Sequence, residues 1–194
     1  MKRSIIAFFF SLIFTGIPSS LIFAQEENEN TGEGRYGADS VTCIMNISLY
    51  REFFKQWKAS DYKSETIKDV IEPWRWVFLN CPKGTQNTYI DGVKIVSYLI
   101  DNAKTPALKD KYIDTLMMVY DQRIKYFGKE GYVLGRKGVD LFTYRPQDTQ
   151  EIYKDLKRSV ELEGDNSAGP VLVWYMNAAV NMAKECKADS VVIF

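Results

Sequence analysis

The chain has 194 residues, 46% hydrophobic and 26% charged, a globular balance that excludes collagen-like, disordered and multi-pass membrane classes. Its 25 basic and 25 acidic side chains cancel, so no basic excess points to nucleic acid. The absence of histidine excludes Ser-His-Asp and Cys-His catalytic groups and any histidine-held metal or haem.

Residues 1–24 read as a secretory signal peptide: Lys2 and Arg3 are the positive start, Ile5 to Phe14 the apolar run, and Ala24 precedes the expected cut at Gln25. An uncleaved membrane anchor is the alternative, but the run is short for a span and is interrupted by Gly16 and Pro18. Residues 25–39 are polar and glycine-containing, which predicts a flexible lead-in.

From Ser40 onward the dominant signal is helical periodicity. Cys43, Ile47, Tyr50, Phe54 and Trp57 predict a first helix, with Ser40 as N-cap and a break at Ser60-Asp61. Ile67, Val70, Trp74, Val77 and Cys81 mark a second, in which Pro73 predicts a kink or the first turn. Tyr89, Val93, Val96 and Ile100 mark a third. Thr105 and Pro106 suit the cap and first turn of a fourth, which carries Ile113, Leu116, Tyr120, Ile124 and Phe127. Gly128 to Gly131 reads as a loop, Tyr132 to Arg145 as a fifth helix, and Pro146 as the start of a sixth that ends at Gly164. A last long helix carries Val171, Tyr175, Ala178, Met182 and Cys186, and Lys187-Ala188-Asp189 reads as its turn-like cap. Residues 190–194 form an apolar tail that either packs back or begins a truncated next helix.

No segment alternates with a two-residue period, so no sheet is expected. The prediction for 40–189 is all-α: about seven helices, paired as antiparallel hairpins by their short connections.

Leu49-Tyr50, Asp61-Tyr62-Lys63 and Trp76-Val77-Phe78 ending at Pro82 resemble the aromatic, turn-tyrosine and terminal-proline positions of the tetratricopeptide repeat (TPR). Glu65 stands where that repeat has a small residue, and the stretch from Tyr62 to Pro82 is longer than the repeat allows. The phrases YGADSVTC, EPWRWVFLNCPK, YDQRIKYFG and GYVLGRKGVDL are also similar to secreted TPR-type proteins of Gram-negative bacteria. The resemblance covers most of 38–189. It implies a right-handed solenoid of degenerate repeats whose concave face binds a protein or peptide, with no cofactor and no catalysis.

Cys43 begins the first helical stripe and Cys81 ends the second, so antiparallel packing brings the two thiols together. An oxidising compartment would join them in a disulfide; two buried free thiols are the alternative. Cys186 reads as a small core residue. The glycines at 128, 131, 135 and 138 beside Arg136 and Lys137 do not match a phosphate loop, since Gly138 follows the lysine where Ser or Thr is required. Asp114, Asp121, Glu151 and Asp155 read as a solvated helix surface, with a metal or glycosidase-type carboxylate site as the minor alternative, and Asp121-Gln122-Arg123 reads as surface and inter-helix polar pairing. Trp76 points away from the Trp74 stripe, to pack on the next hairpin or to stand exposed as an anchor.

A groove lined by the first helix of each hairpin would present Asn46, Arg51, Tyr89, Lys94, Arg136 and Asn177, with Trp76 as a further partner-binding candidate. The expectation is an exported, periplasmic or envelope-associated scaffold that binds a protein partner, is not an enzyme and has no integral span once the leader is removed. The alternatives are a truncated, non-binding fragment of a longer helical-repeat protein and, behind it, a carboxylate-based enzyme.

Overall fold

A computed structural model describes the backbone of residues 34–191 and the side chains of residues 34–185. The expected signal peptide, the first part of the lead-in, residues 192–194 and the Cys186 side chain lie outside the described residues. Within them the chain forms seven α-helices: α1 (Ser40–Ala59), α2 (Ile67–Asn80), α3 (Asn87–Asp101), α4 (Pro106–Phe127), α5 (Glu130–Tyr144), α6 (Thr149–Glu163) and α7 (Gly169–Val191). A short 3-10 turn at Gly164–Asn166 precedes α7, and the described residues include no strand.

Helix ends are decided by local chemistry, and here several expectations need correction. Asp39, not Ser40, caps α1: its carboxylate accepts from the Thr42 N–H at 3.0 Å. Thr105 does cap α4, its hydroxyl accepting from the Leu108 N–H at 3.2 Å with Pro106 in the first turn. The α4–α5 connection is only Gly128 and Lys129, both at positive φ, and α5 begins at Glu130. Pro146 does not open α6. The residue before it, Arg145, is non-helical, Pro146 sits in the following turn, and the helix starts at Thr149. Pro73 lies within a continuous α2 and is not its first turn. No turn forms at Lys187-Ala188-Asp189, because no glycine or proline stops α7 before Val191. The last part of the lead-in is held in place, with Arg35 Nε donating to the Gly84 carbonyl at 2.8 Å.

Packing follows the chain. α1 lies chiefly on α2, α3 on α4 and α5 on α6; the contacts of α2 with α3 and of α4 with α5 are thinner, and α7 rests on α6 and α5. In the first hairpin, Trp57 is fully buried with the Tyr62 ring edge-on at 4.9 Å and Tyr98 at 5.5 Å. Trp74 stacks on Phe78 at 5.4 Å, and its indole N–H donates to the Thr88 carbonyl at 2.8 Å. Gly92 makes room for that indole: a Cβ there would stand 2.9 Å from Trp74 Cζ2.

The expected disulfide is present. Cys43 and Cys81 are bonded with their Cα atoms 6.2 Å apart, tying the start of α1 to the end of α2. Closing a loop of this separation stabilises by about 4 kcal/mol in the chain-entropy model.

The glycines of α5 also have a structural explanation. Gly131, Gly135 and Gly138 face α6, where added Cβ atoms would stand 2.6 Å from Glu163 Oε1, 2.7 Å from Ser159 Oγ and 2.7 Å from Leu156 Cγ. The two backbones approach closely enough for the Ser159 hydroxyl to donate to the Gly131 carbonyl at 2.7 Å. The glycine run is thus a helix–helix contact.

Candidate functional site

Two hollows have successive odd-numbered helices in their walls, the second joined by Tyr120 of α4 and by Ser159 and Glu163 of α6. The shallower, of about 510 Å³, lies between α1 and α3. Arg51, Lys55 and Lys58 enter it from successive turns of α1, opposite Asn87 and Asp91 of α3. Burial pushes the Asp91 carboxyl up to about 6, against the pull of Arg51 and Lys58.

The second is a cavity of about 350 Å³ between α3, α5 and the start of α7. Val93, Val139, Pro170 and Val171 form apolar walls. Tyr132, Arg136 and Asp140, one helical turn apart on α5, supply polar groups. Asp140 Oδ2 accepts from the Tyr120 hydroxyl at 2.5 Å. Burial holds the Asp140 carboxyl above the usual carboxylate range, although the Tyr120 hydrogen bond and the Arg136 charge act the other way. The guanidiniums of Arg123 and Arg136 lie over the Tyr132 ring, 5.4 and 5.6 Å from its centroid.

The candidate partner-binding residues are dispersed. Arg51 lines the α1–α3 hollow and Arg136 the α5 cavity. Lys94 falls between the two hollows around α3 at 100° per residue, with its ammonium 4.5 Å from the Tyr62 ring. Asn46 and half-buried Trp76 share a different hollow on the α1–α2 hairpin, together with Leu49 and Leu79. Asn177 is exposed on α7. Tyr89 lines no groove: its ring is fully buried against Phe78 and Phe127, and its hydroxyl donates to the Pro82 carbonyl at 2.8 Å. Its place on the apolar stripe of the third helix already indicated the core.

Of the carboxylates read as solvated surface, Asp114, Asp121 and Glu151 are exposed and Asp155 is buried, and all four are ion-paired. Asp114 meets Arg145 at 2.7 Å. Asp121, Glu151 and Asp155 converge on the buried ammonium of Lys137 at 2.9, 3.4 and 3.3 Å, linking α4, α5 and α6. Burial opposes the charge on Lys137, but the three carboxylates outweigh it and hold the ammonium above the usual lysine range. Asp155 is also held high, because its burial outweighs the attraction of Lys137.

Sequence reasoning did not single out Asp91 or Asp140, and it read Arg123 as surface or inter-helix polar pairing, whereas that residue is buried. For Asp140 a signal was present, since Tyr132, Arg136 and Asp140 recur at four-residue steps. No helix among the described residues is long and apolar enough to cross a membrane. No family model, curated protein or solved structure matches this chain.

Proposed function

We propose that this chain is an exported helical-repeat scaffold of the TPR kind, and that it binds a protein or peptide partner along the face carrying α1, α3 and α5. One observation carries the reading: α1, α3, α5 and α7 line two of the hollows, one at α1–α3 and one at α3, α5 and α7, with the exposed Lys94 between them. A repeated hairpin that packs on its neighbours lines one face with the first helix of each unit. The α1–α3 hollow brings Arg51, Lys55 and Lys58 together beside Phe54, and arginine beside an aromatic side chain is common in protein interfaces. The disulfide supports passage through an oxidising compartment. The scaffold acts by binding and carries out no reaction.

Affinity capture from the source cells' envelope extract tests this with three forms of the tagged chain: unaltered, Lys55→Glu/Lys58→Glu, and the outer-surface control Lys111→Glu. The expected result is one stoichiometric protein recovered by the unaltered chain and the control and lost with the double variant. Equal recovery by all three, or none above an unrelated helical protein, would overturn the reading.

A second reading, that the chain is a portion of a longer repeat protein, draws on α7. This helix exposes Leu172, Val173, Met176 and Val180, an apolar surface of the kind that a following helix covers. An immunoblot of the source cells with an antibody against 40–189 tests it; a band larger than the 22.4 kDa chain is expected on this reading and absent on the first.

A further inference from the structure

We infer that the hollow formed by the end of α2, the end of α4 and the last part of the lead-in docks an acidic, extended segment of a partner protein, whose carboxylates meet Arg35, Lys83 and Lys125. This hollow is built on other elements than the face carrying α1, α3 and α5, so the inference goes beyond the scaffold reading and is tested apart from it.

The hollow, of about 720 Å³, has three cations in its wall, Arg35, Lys83 and Lys125, and no carboxylate. Lys83 follows Pro82 in the turn after α2, Lys125 stands in the last turn of α4, and Arg35 comes from the lead-in. All three are exposed, and none takes part in an ion pair among the described residues. Among those residues the carboxylate next to this wall in sequence is Asp39, which is turned to the Thr42 N–H at the start of α1. The C-terminal ends of α2 and α4 carry about half a negative charge each, which leaves most of three full positive charges unanswered. Acidic and basic side chains are equal in number over the whole chain, so the excess is local to this hollow.

Arg35 is held in place for a carboxylate. Its Nε donates to the Gly84 carbonyl at 2.8 Å, and its guanidinium lies 5.3 Å from the Tyr36 ring centroid. With Nε anchored on the backbone, the two Nη nitrogens form an open fork that matches the two oxygens of a carboxylate. The same wall carries Leu79, 61% exposed, with half-buried Pro82 and Tyr126. An apolar side chain flanked by acidic ones matches such a wall, and a peptide supplies that pattern where a simple anion does not. Exposed ion pairs are individually weak, so recognition rests on the three cations acting together with the apolar contact.

Fluorescence anisotropy of the full chain with three labelled peptides, of leucine alternating with glutamate, glutamine or lysine, tests the inference. The glutamate peptide is expected to bind one-to-one, about tenfold or more tighter than the glutamine peptide, and to lose that advantage in about 0.5 M salt. In NMR spectra it should shift the amide signals of Lys83, Lys125 and Tyr126. Lys83→Gln/Lys125→Gln, at exposed positions, should weaken the glutamate peptide about tenfold and leave the glutamine peptide unchanged. Arg35→Lys keeps the charge without the fork and should weaken it about threefold. Lys55→Gln/Lys58→Gln, in the α1–α3 hollow, should leave it unchanged. Several outcomes would each overturn the inference: a glutamate peptide that binds no tighter than the glutamine peptide, tighter binding of the lysine peptide, or indifference to Lys83→Gln/Lys125→Gln. Loss with Lys55→Gln/Lys58→Gln instead, or equally tight binding of a heparin oligosaccharide, a polyanion without apolar side chains, would do the same.

Discussion

Asp91 is a half-buried carboxyl facing Arg51 and Lys58, with burial the stronger influence. Its value of about 6 lies above the roughly 4 of an unfolded aspartate. Between those two pH values the folded state holds a proton that the unfolded chain has released. Stability from this group is therefore present below about pH 4 and is lost as pH rises through 6. Asp91→Asn should remove that part of the pH dependence. Thermal unfolding should find the variant level with the unaltered chain near pH 4 and more stable near pH 8. Lys129 presents a backbone cost, since it holds φ 59° between α4 and α5 with an exposed side chain. Lys129→Gly relieves it and should stabilise by about 0.5–1 kcal/mol, read from the denaturant midpoint. These residue-scale features were poorly legible in the sequence. Helical periodicity says which side of a helix is apolar, but not which turn of a neighbouring helix lies opposite Asp91, Arg123 or Asp140.

At the scale of elements, the α5–α6 pair depends on what α5 lacks. Gly138→Ala would put a methyl group 2.7 Å from Cγ of fully buried Leu156, and should destabilise by about 1–3 kcal/mol in chemical denaturation. The same substitution at an exposed helix position would instead stabilise, so the sign separates contact from propensity. Lys137→Met leaves buried Asp155, with the exposed Asp121 and Glu151 beside it, without its cation. It should cost about 2–4 kcal/mol near neutral pH, with part of the loss recovered on acidification as the carboxylates protonate. The helices themselves were readable from three- and four-residue steps of large apolar side chains. Their ends were less so: Asp39 in place of Ser40, and Thr149 in place of Pro146, were decided by which side chain reaches a free N–H and by the residue before a proline. The glycine run fails the phosphate-loop pattern, and its helical spacing suits the close packing on α6 that is found.

For the whole molecule, the disulfide is the long-range feature most legible in the sequence. Cys43 and Cys81 lie on apolar stripes at opposite ends of helices that a short turn makes antiparallel, so their meeting follows from topology alone. Reduction should lower the unfolding free energy by about 4 kcal/mol, and comparison of oxidised and reduced protein in urea measures it. The proposed partner-binding face was only partly readable. Arg136 was placed by hairpin order, whereas Asn46 and Trp76 occupy another hollow and Tyr89 the core.

The bond that joins Cys43 to Cys81 also makes the first hairpin mechanically private. Tension applied to the two ends of the chain passes across the bridge, and the segment between the cysteines, which stand 38 positions apart in sequence, carries none of it. In a pulling experiment the oxidised protein should extend about 130 Å less than the reduced one. α1 beyond Cys43, the Tyr62 turn and α2 would thus stay unstretched while the hairpins after them are drawn out.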